Sequence, residues 1–261
     1  MSQGLQELRK SQQLSDVIIC CGGEKFPAHK VVLAANCPYL KAMFTNGMKE
    51  STSNEIELKG VSPATFGLVM DFMYSRDVSI SQSNVLDLIG ASSLLQIEDL
   101  RQLSSKFLLR QIDCNNVIMI RLFAITMFLE ELKDAATTFL VDNFGKIILC
   151  DEFLTIGPDQ LTDILKFDFL RVRSEYVAFY GALRWIQHDL RSRKQHAITV
   201  LENIRLLHFT NINYLTRIVD KLPQEIESPE DCEKFLENIS KRCSKRRLLG
   251  SVTEDTLSYP R

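Results

Sequence analysis

The residue types that could carry chemistry in this chain are seven cysteines and four histidines, and their spacing gives them little to do together. The cysteines stand at 20, 21, 37, 114, 150, 232 and 243. None form a C-x-x-C pair, and no histidine completes a zinc-like spacing, so the pattern is one of free thiols in a reducing compartment, with no metal site. His29, His188, His196 and His208 make no nucleophile–base motif, and there is neither a phosphate-binding glycine loop nor a G-x-S-x-G elbow. The acidic pairs Glu130-Glu131 and Asp151-Glu152 read more simply as helix-start charges than as acid–base dyads. No catalytic residue and no cofactor is expected. Cys37 has one sharper reading: beside a helix start its thiol would be acidified, although a small buried packing role is the commoner fate of such a residue.

Contact chemistry is better represented than reaction chemistry. Residues 26–51, FPAHKVVLAANCPYLKAMFTNGMKES, place a helix, a break, a second short helix and an exposed loop in one run. The spacing predicts a helix from His29 to Ala35, ended by Asn36, a residue that tolerates the left-handed conformation. Pro38 restarts it, because the missing proline N–H costs nothing at the first helical position. Tyr39 to Phe44 then forms a second helix with Leu40, Met43 and Phe44 on one side, stopped at Gly47. In Met48-Lys49-Glu50 an extended backbone points Met48 and Glu50 the same way, so an apolar anchor sits beside a carboxylate. The segment reads as a docking surface.

The elements that must position it mix strand and helix in the first half of the chain and are almost wholly helical afterwards. Val17 to Cys21, Gly22-Gly23 and Glu24 to Phe26 read as a tight hairpin, and Glu55 to Leu58 alternates as a half-buried strand does. Ser62-Pro63 signals a helix start, with Phe66, Val69, Met70 and Met73 on one face behind it. Val85, Leu88, Ile89, Ser92 and Leu95 make the next stripe. From about Asn115 helices follow one another, with boundaries at Asp151, Gly157-Pro158, Ser174 and Ser228-Pro229. The switch falls near residues 113–116, without a glycine- or proline-rich linker, and predicts two domains packed together.

Composition bounds the reading without deciding it. A chain of 261 residues, 45% hydrophobic, can support one large or two modest cores. A net charge of −2 argues against a broadly cationic nucleic-acid surface. No apolar run reaches the roughly 18 residues of a membrane span, and the polar start lacks a signal peptide's apolar region. The expectation is a soluble, cytoplasmic protein without nucleic-acid or membrane partners.

Several ordered blocks resemble the BTB (POZ) domain of the Kelch-like family of cullin-3 ubiquitin ligase adaptors. They are Ser15-Asp16 before a strand; Phe26, Ala28, His29 and Lys30; Leu33-Ala34-Ala35 with Pro38-Tyr39; Ala42 to Thr45; Phe72-Met73-Tyr74; and Ala91 to Gln96. Asp151 to Leu154, Ser174-Glu175 and Trp185 with Asp189 continue the likeness into a helical BACK domain, so it covers roughly residues 10–240. The resemblance implies an α+β BTB/POZ domain, a mixed sheet flanked by helices, over 1–112. It implies an all-α BACK domain of packed helix pairs over 113–243, and a tail or linker over 244–261. It implies a homodimer with Leu5, Leu8, Asp16 and Lys30 at its interface. Leu5 and Leu8 share one face of a short amphipathic helix that cannot bury that face alone, and Asp16 and Lys30 belong near each other whether they pair locally or across the dimer. The cullin-3 site falls on Met43, Phe44, Met48 and Glu50, with Tyr74 as a weaker addition. Such a protein would be a non-catalytic ligase component that works by raising effective concentration.

The chain departs from that family in one respect. It has none of the paired glycines and spaced tryptophans of Kelch blades, and Trp185 is its only tryptophan. The expectation is a fragment, a short isoform or a propeller-free adaptor that competes with complete ones. An unknown substrate protein enters only if a Kelch domain follows. A dimeric structural scaffold is the runner-up. A BTB zinc-finger repressor ranks lower, since its fingers are absent and it lacks a BACK domain. The basic run from Lys241 to Arg247 offers a nuclear import signal, though such runs are more often solvated helix ends. Asn238-Ile239-Ser240 fits a glycosylation acceptor only formally.

Overall fold

The computed structural model describes residues 2–45, 53–167, 170 and 175–204. Gly47, Met48, Glu50, Ser174, His208, Ser228-Pro229, Asn238-Ile239-Ser240, Cys232, Cys243 and the basic run 241–247 lie outside the described residues. The chain divides into two compact units, the first comprising residues 1–112 and 120–135, the second 113–119 and 136 onward.

The first unit opens with helix α1 (Ser2–Lys10) and a hairpin of β1 (Val17–Cys21) and β2 (Glu24–Ala28). Val17, Ile19 and Cys21 are buried while Ile18 and Cys20 are partly so, the period-two alternation of a strand with one face on a core. Gly22 and Gly23 turn the hairpin at φ of 54° and 87°, and a Cβ on Gly22 would stand 2.8 Å from the Pro63 ring, so this turn needs glycine for both reasons. β3 (Glu55–Leu58) pairs in parallel with β1, so the sheet is mixed, in the order β2-β1-β3. Pro27 sits on the edge strand β2, where its missing N–H breaks no ladder on the outer side.

Helices α2 (Lys30–Asn36) and α3 (Pro38–Thr45) follow β2, and α4 (Pro63–Ser75) follows β3. The Ser62 side chain accepts the Thr65 N–H (3.2 Å) at the start of α4, as Ser62-Pro63 predicts. The break between α2 and α3 has a different cause from the expected one. Asn36 keeps a negative φ; it is Cys37 that turns extended, at φ −136° and ψ 104°, because Pro38 disfavours the helical conformation in the residue before it. The Asn36 amide donates to Val32 O (2.9 Å) and Met73 O (3.1 Å), and its Oδ1 accepts from Arg76 (2.7 Å), so Asn36 ties α2 to α4. α5 (Val85–Leu94) and α6 (Glu98–Leu109) pack as a pair, and the stripe of Val85, Leu88, Ile89 and Ser92, with Leu95 just beyond the helix, is buried as its spacing predicts. The core joins Ile19, Ile56, Leu33, Leu40, Phe66, Met70, Leu88 and Leu95. Burying each such side chain removes apolar surface worth about 1.5–3 kcal/mol.

Beyond these come α7 (Val117–Thr126) and α8 (Glu130–Ile147), each divided between the units, and then α9 (Asp151–Thr155), α10 (Pro158–Leu165), α11 (Glu175–His188), α12 (Leu190–Arg193) and α13 (Ala197–Glu202). In the second unit α9 packs on α11, and α13 packs on both α10 and α11. Trp185 is its centre, buried to 1% exposure. Its indole N–H donates to Ile156 O (2.8 Å), and the Arg193 guanidinium lies 4.2 Å from the ring centroid. Arg193 donates to Trp185 O (2.7 Å) and Leu154 O (2.6 Å), which fastens three helices through one stacked pair. No helix among the described residues is long and apolar enough to cross a membrane.

Candidate functional site

The candidate site of the first unit grows from the start of α2, where two backbone segments run side by side. His29 precedes α2, and its ring is buried. Nε2 meets the Gln13 carbonyl at 2.9 Å, and since a carbonyl only accepts, Nε2 carries the proton and Nδ1 is left to accept from the Tyr74 hydroxyl at 2.8 Å. That hydroxyl accepts in turn from the His29 backbone N–H (3.0 Å). Burial pushes the Tyr74 phenol up, and the donated N–H and the nearby Arg9 charge pull the other way. His29 therefore has the structural hydrogen bonds that suit its place, and Tyr74, at 2% exposure, offers almost no surface. Tyr74→Phe is expected to cost about 1–3 kcal/mol, because it leaves the buried Nδ1 and N–H of His29 unpaired. A urea titration checks this, and a variant as stable as the parent would refute the network.

Asp16 and Lys30 meet here, as expected, but through the main chain. Asp16 Oδ1 accepts the Lys30 backbone N–H at 2.7 Å, placing a carboxylate at the first turn of α2, where the helix dipole favours it. The Lys30 ammonium donates to Ser53 O (3.3 Å) and stands 5.8 Å from the Phe44 ring centroid. One residue thus links a position proposed for the dimer to one proposed for cullin. Met43 and Phe44 are partly buried against the core and keep part of their surface outward, a few residues before Met48 and Glu50 in the sequence. Leu5 also packs partly on this core, and α1 is held to α4 by Arg9, which bonds Asp71 (2.9 Å) and lies 5.3 Å from the Tyr74 ring centroid.

Arg9, Leu14 and Val31 are the residues here that sequence reasoning missed. Leu14 (79% exposed) and Val31 (74%) sit on the two segments that the Gln13–His29 and Asp16–Lys30 bonds hold together, and each exposes apolar surface there. A signal for Val31 was available: of three consecutive apolar residues on a helix, 31–33, one must face away from the core.

Cys37 is corrected. Its side chain is fully buried, its Sγ donates to Leu95 O (3.2 Å), and burial pushes its thiol up, outweighing the Leu40 and Tyr39 N–H groups that pull it down. It packs; it is not an acidified sensor. In the native protein iodoacetamide should label Cys37 more slowly than the partly exposed Cys20, at least tenfold by peptide mapping, and equal labelling would overturn the assignment.

The three-stranded mixed sheet with its flanking helices, and the helical pairs after it, define a class: a protein-interaction chain of two modules, neither of which is catalytic. Residues 5–112 match the BTB/POZ domain and residues 117–220 match BACK, described as BTB And C-terminal Kelch. The chain belongs to the proteins that carry a BTB/POZ domain followed by a BACK domain. It is also similar to the BTB domain of zebrafish PATZ1, at 29% identity over 43% of this chain and 90% of that one, with a TM-score of 0.39.

Proposed function

We propose that this chain is a dimerising adaptor that holds cullin-3 and so serves a ubiquitin ligase without supplying reacting groups. The observation that carries the reading is the order of the two domains, a BTB/POZ fold followed by BACK, an architecture typical of cullin-3 adaptors. Residues 1–112 are taken as the BTB/POZ domain, 113–243 as the BACK domain and 244–261 as the tail. Met43 and Phe44 at the end of α3, with Met48 and Glu50 beyond it, form the cullin contact. Apolar anchors at the centre of such a contact carry most of the energy, and the carboxylate sets register. Tyr74 supports α2 from behind and does not touch the partner. Leu5, Leu8, Asp16 and Lys30 belong to the dimer surface, with Leu14 and Val31 at its rim. The protein acts in the cytoplasm, and a substrate protein enters only if a Kelch domain follows.

Co-purification of cullin-3 with the tagged chain tests the reading, and its absence under conditions that recover a control adaptor would leave the dimeric scaffold standing. The dimer is tested separately. Leu5→Asp with Leu8→Asp should halve the mass seen by light scattering, and an unchanged dimer mass would remove α1 from the interface.

A further inference from the structure

We propose that Cys114 and Cys150, both on the second unit, form a peroxide-responsive thiol pair that closes into an intramolecular disulfide. Both cysteines are free and partly exposed. Cys114 lies in the turn that leads into α7, closed by Asp113 Oδ1 accepting the Asn115 N–H (2.7 Å) and Asn116 Oδ1 accepting the Asp113 N–H (2.8 Å). Cys150 is the N-cap of α9, and its side chain makes no capping bond; the thiol points to Lys146 O instead, at 3.6 Å. The two starts are clamped together two residues after Cys150, where Glu152 Oε1 accepts the Met119 N–H of the first turn of α7 at 2.8 Å. The same carboxylate is half buried, leaves its second oxygen without a partner, and is pushed up by burial first. Burial first, and then the neighbouring Cys114, Glu152 and Asp113, push the Cys150 thiol up against the pull of Arg184.

Oxidation starts at Cys114, because the Cys150 thiol is directed to the Lys146 carbonyl. The Cys114 thiolate attacks peroxide, the O–O bond breaks, a sulfenic acid forms and hydroxide leaves to become water. The Cys150 sulfur then attacks the sulfenic sulfur: the S–S bond forms, the S–O bond breaks, and a second water leaves with the Cys150 proton. Two thiols lose two electrons and one peroxide gains them. The product ties the first turns of α7 and α9 covalently where Glu152 alone ties them in the reduced protein. A disulfide requires Cα atoms within about 7 Å, which makes cross-linking a direct reading of this juxtaposition.

The reduced full chain, treated with hydrogen peroxide, alkylated and digested without reductant, should yield a linked peptide joining Cys114 to Cys150. Free thiols should fall from the seven in the sequence to five, and dithiothreitol should restore them. Cys150→Ser should fold, since serine is a favoured N-cap. It should lose the linked peptide and leave a Cys114 sulfenic acid that dimedone traps. A linkage of either cysteine to any other, a link between chains, or Cys114 and Cys150 both still open to alkylation after peroxide treatment would each overturn the proposal.

Discussion

Met48→Asp combined with Glu50→Lys is expected to weaken cullin-3 binding by at least about 100-fold, roughly 2.8 kcal/mol, with the dimer mass unchanged. The size follows from what the two changes do together. An aspartate in place of Met48 removes the apolar anchor and asks the partner to desolvate a charge in its stead, while Glu50→Lys inverts the electrostatic register. Both positions lie apart in the sequence from those assigned to the dimer, Leu5, Leu8, Asp16 and Lys30, so the two-fold assembly should survive. Met43 and Phe44 should share the loss when truncated, but with a second effect, since both also pack on the core and their removal lowers stability. That coupling is why Met48 and Glu50 are the chosen probe. Surface plasmon resonance on the folded variant measures it, and a change of less than threefold would separate these two residues from the contact.

Trp185→Ala is expected to destabilise the second unit by about 3–5 kcal/mol, a large fraction of what holds a domain of this size together. The indole fills the centre of the packing between α9, α11 and α12, and its loss also orphans the Ile156 carbonyl and takes the stacking face from Arg193. Arg193 then keeps its partly buried charge on two carbonyls and beside Asp189 without the ring face over it, which raises the cost further. As the only tryptophan, Trp185 reports on this unit by fluorescence in the parent, and circular dichroism must follow the variant. A shift in unfolding free energy below about 1 kcal/mol would mean that the cluster is peripheral to stability.

Local signals were the legible ones. Gly22-Gly23, Ser62-Pro63, the alternation of Glu55 to Leu58 and the stripe from Val85 to Leu95 each read true because neighbours a few residues apart decide them. The places where rules of thumb failed are those where distant residues intervene. Besides Gly22, Gly23 and Gly60, positive φ among the described residues falls on Gln12, Leu14, Arg76, Gln96 and Phe128, none of them an asparagine, whereas Asn36, the natural candidate, is held in place by bonds to Met73 and Arg76 some forty residues away. Arg76 can bear its left-handed backbone because its side chain is fixed by Asn36, Asp99 (2.9 Å) and the face of Phe72. Arg9 and Arg193 were invisible for the same reason: a guanidinium's partners, Asp71 in one case and Leu154 O in the other, carry no mark of it in the local sequence. In the candidate site, Asp16 and Lys30 were foreseen as neighbours from the family resemblance together with the cost of burying an unpaired charge. That the contact runs through a backbone amide was not, because main-chain donors look alike in every sequence.

The measurement that goes to the centre of this reading is isothermal titration of the purified dimer with the amino-terminal region of cullin-3 at neutral pH, paired with sedimentation of the mixture. An adaptor should give a saturable heat with one cullin per chain and a joint species carrying two cullins per dimer, both lost in the Met48→Asp, Glu50→Lys variant. Flat heats and two independent boundaries, from a protein shown to be folded and dimeric, would contradict it.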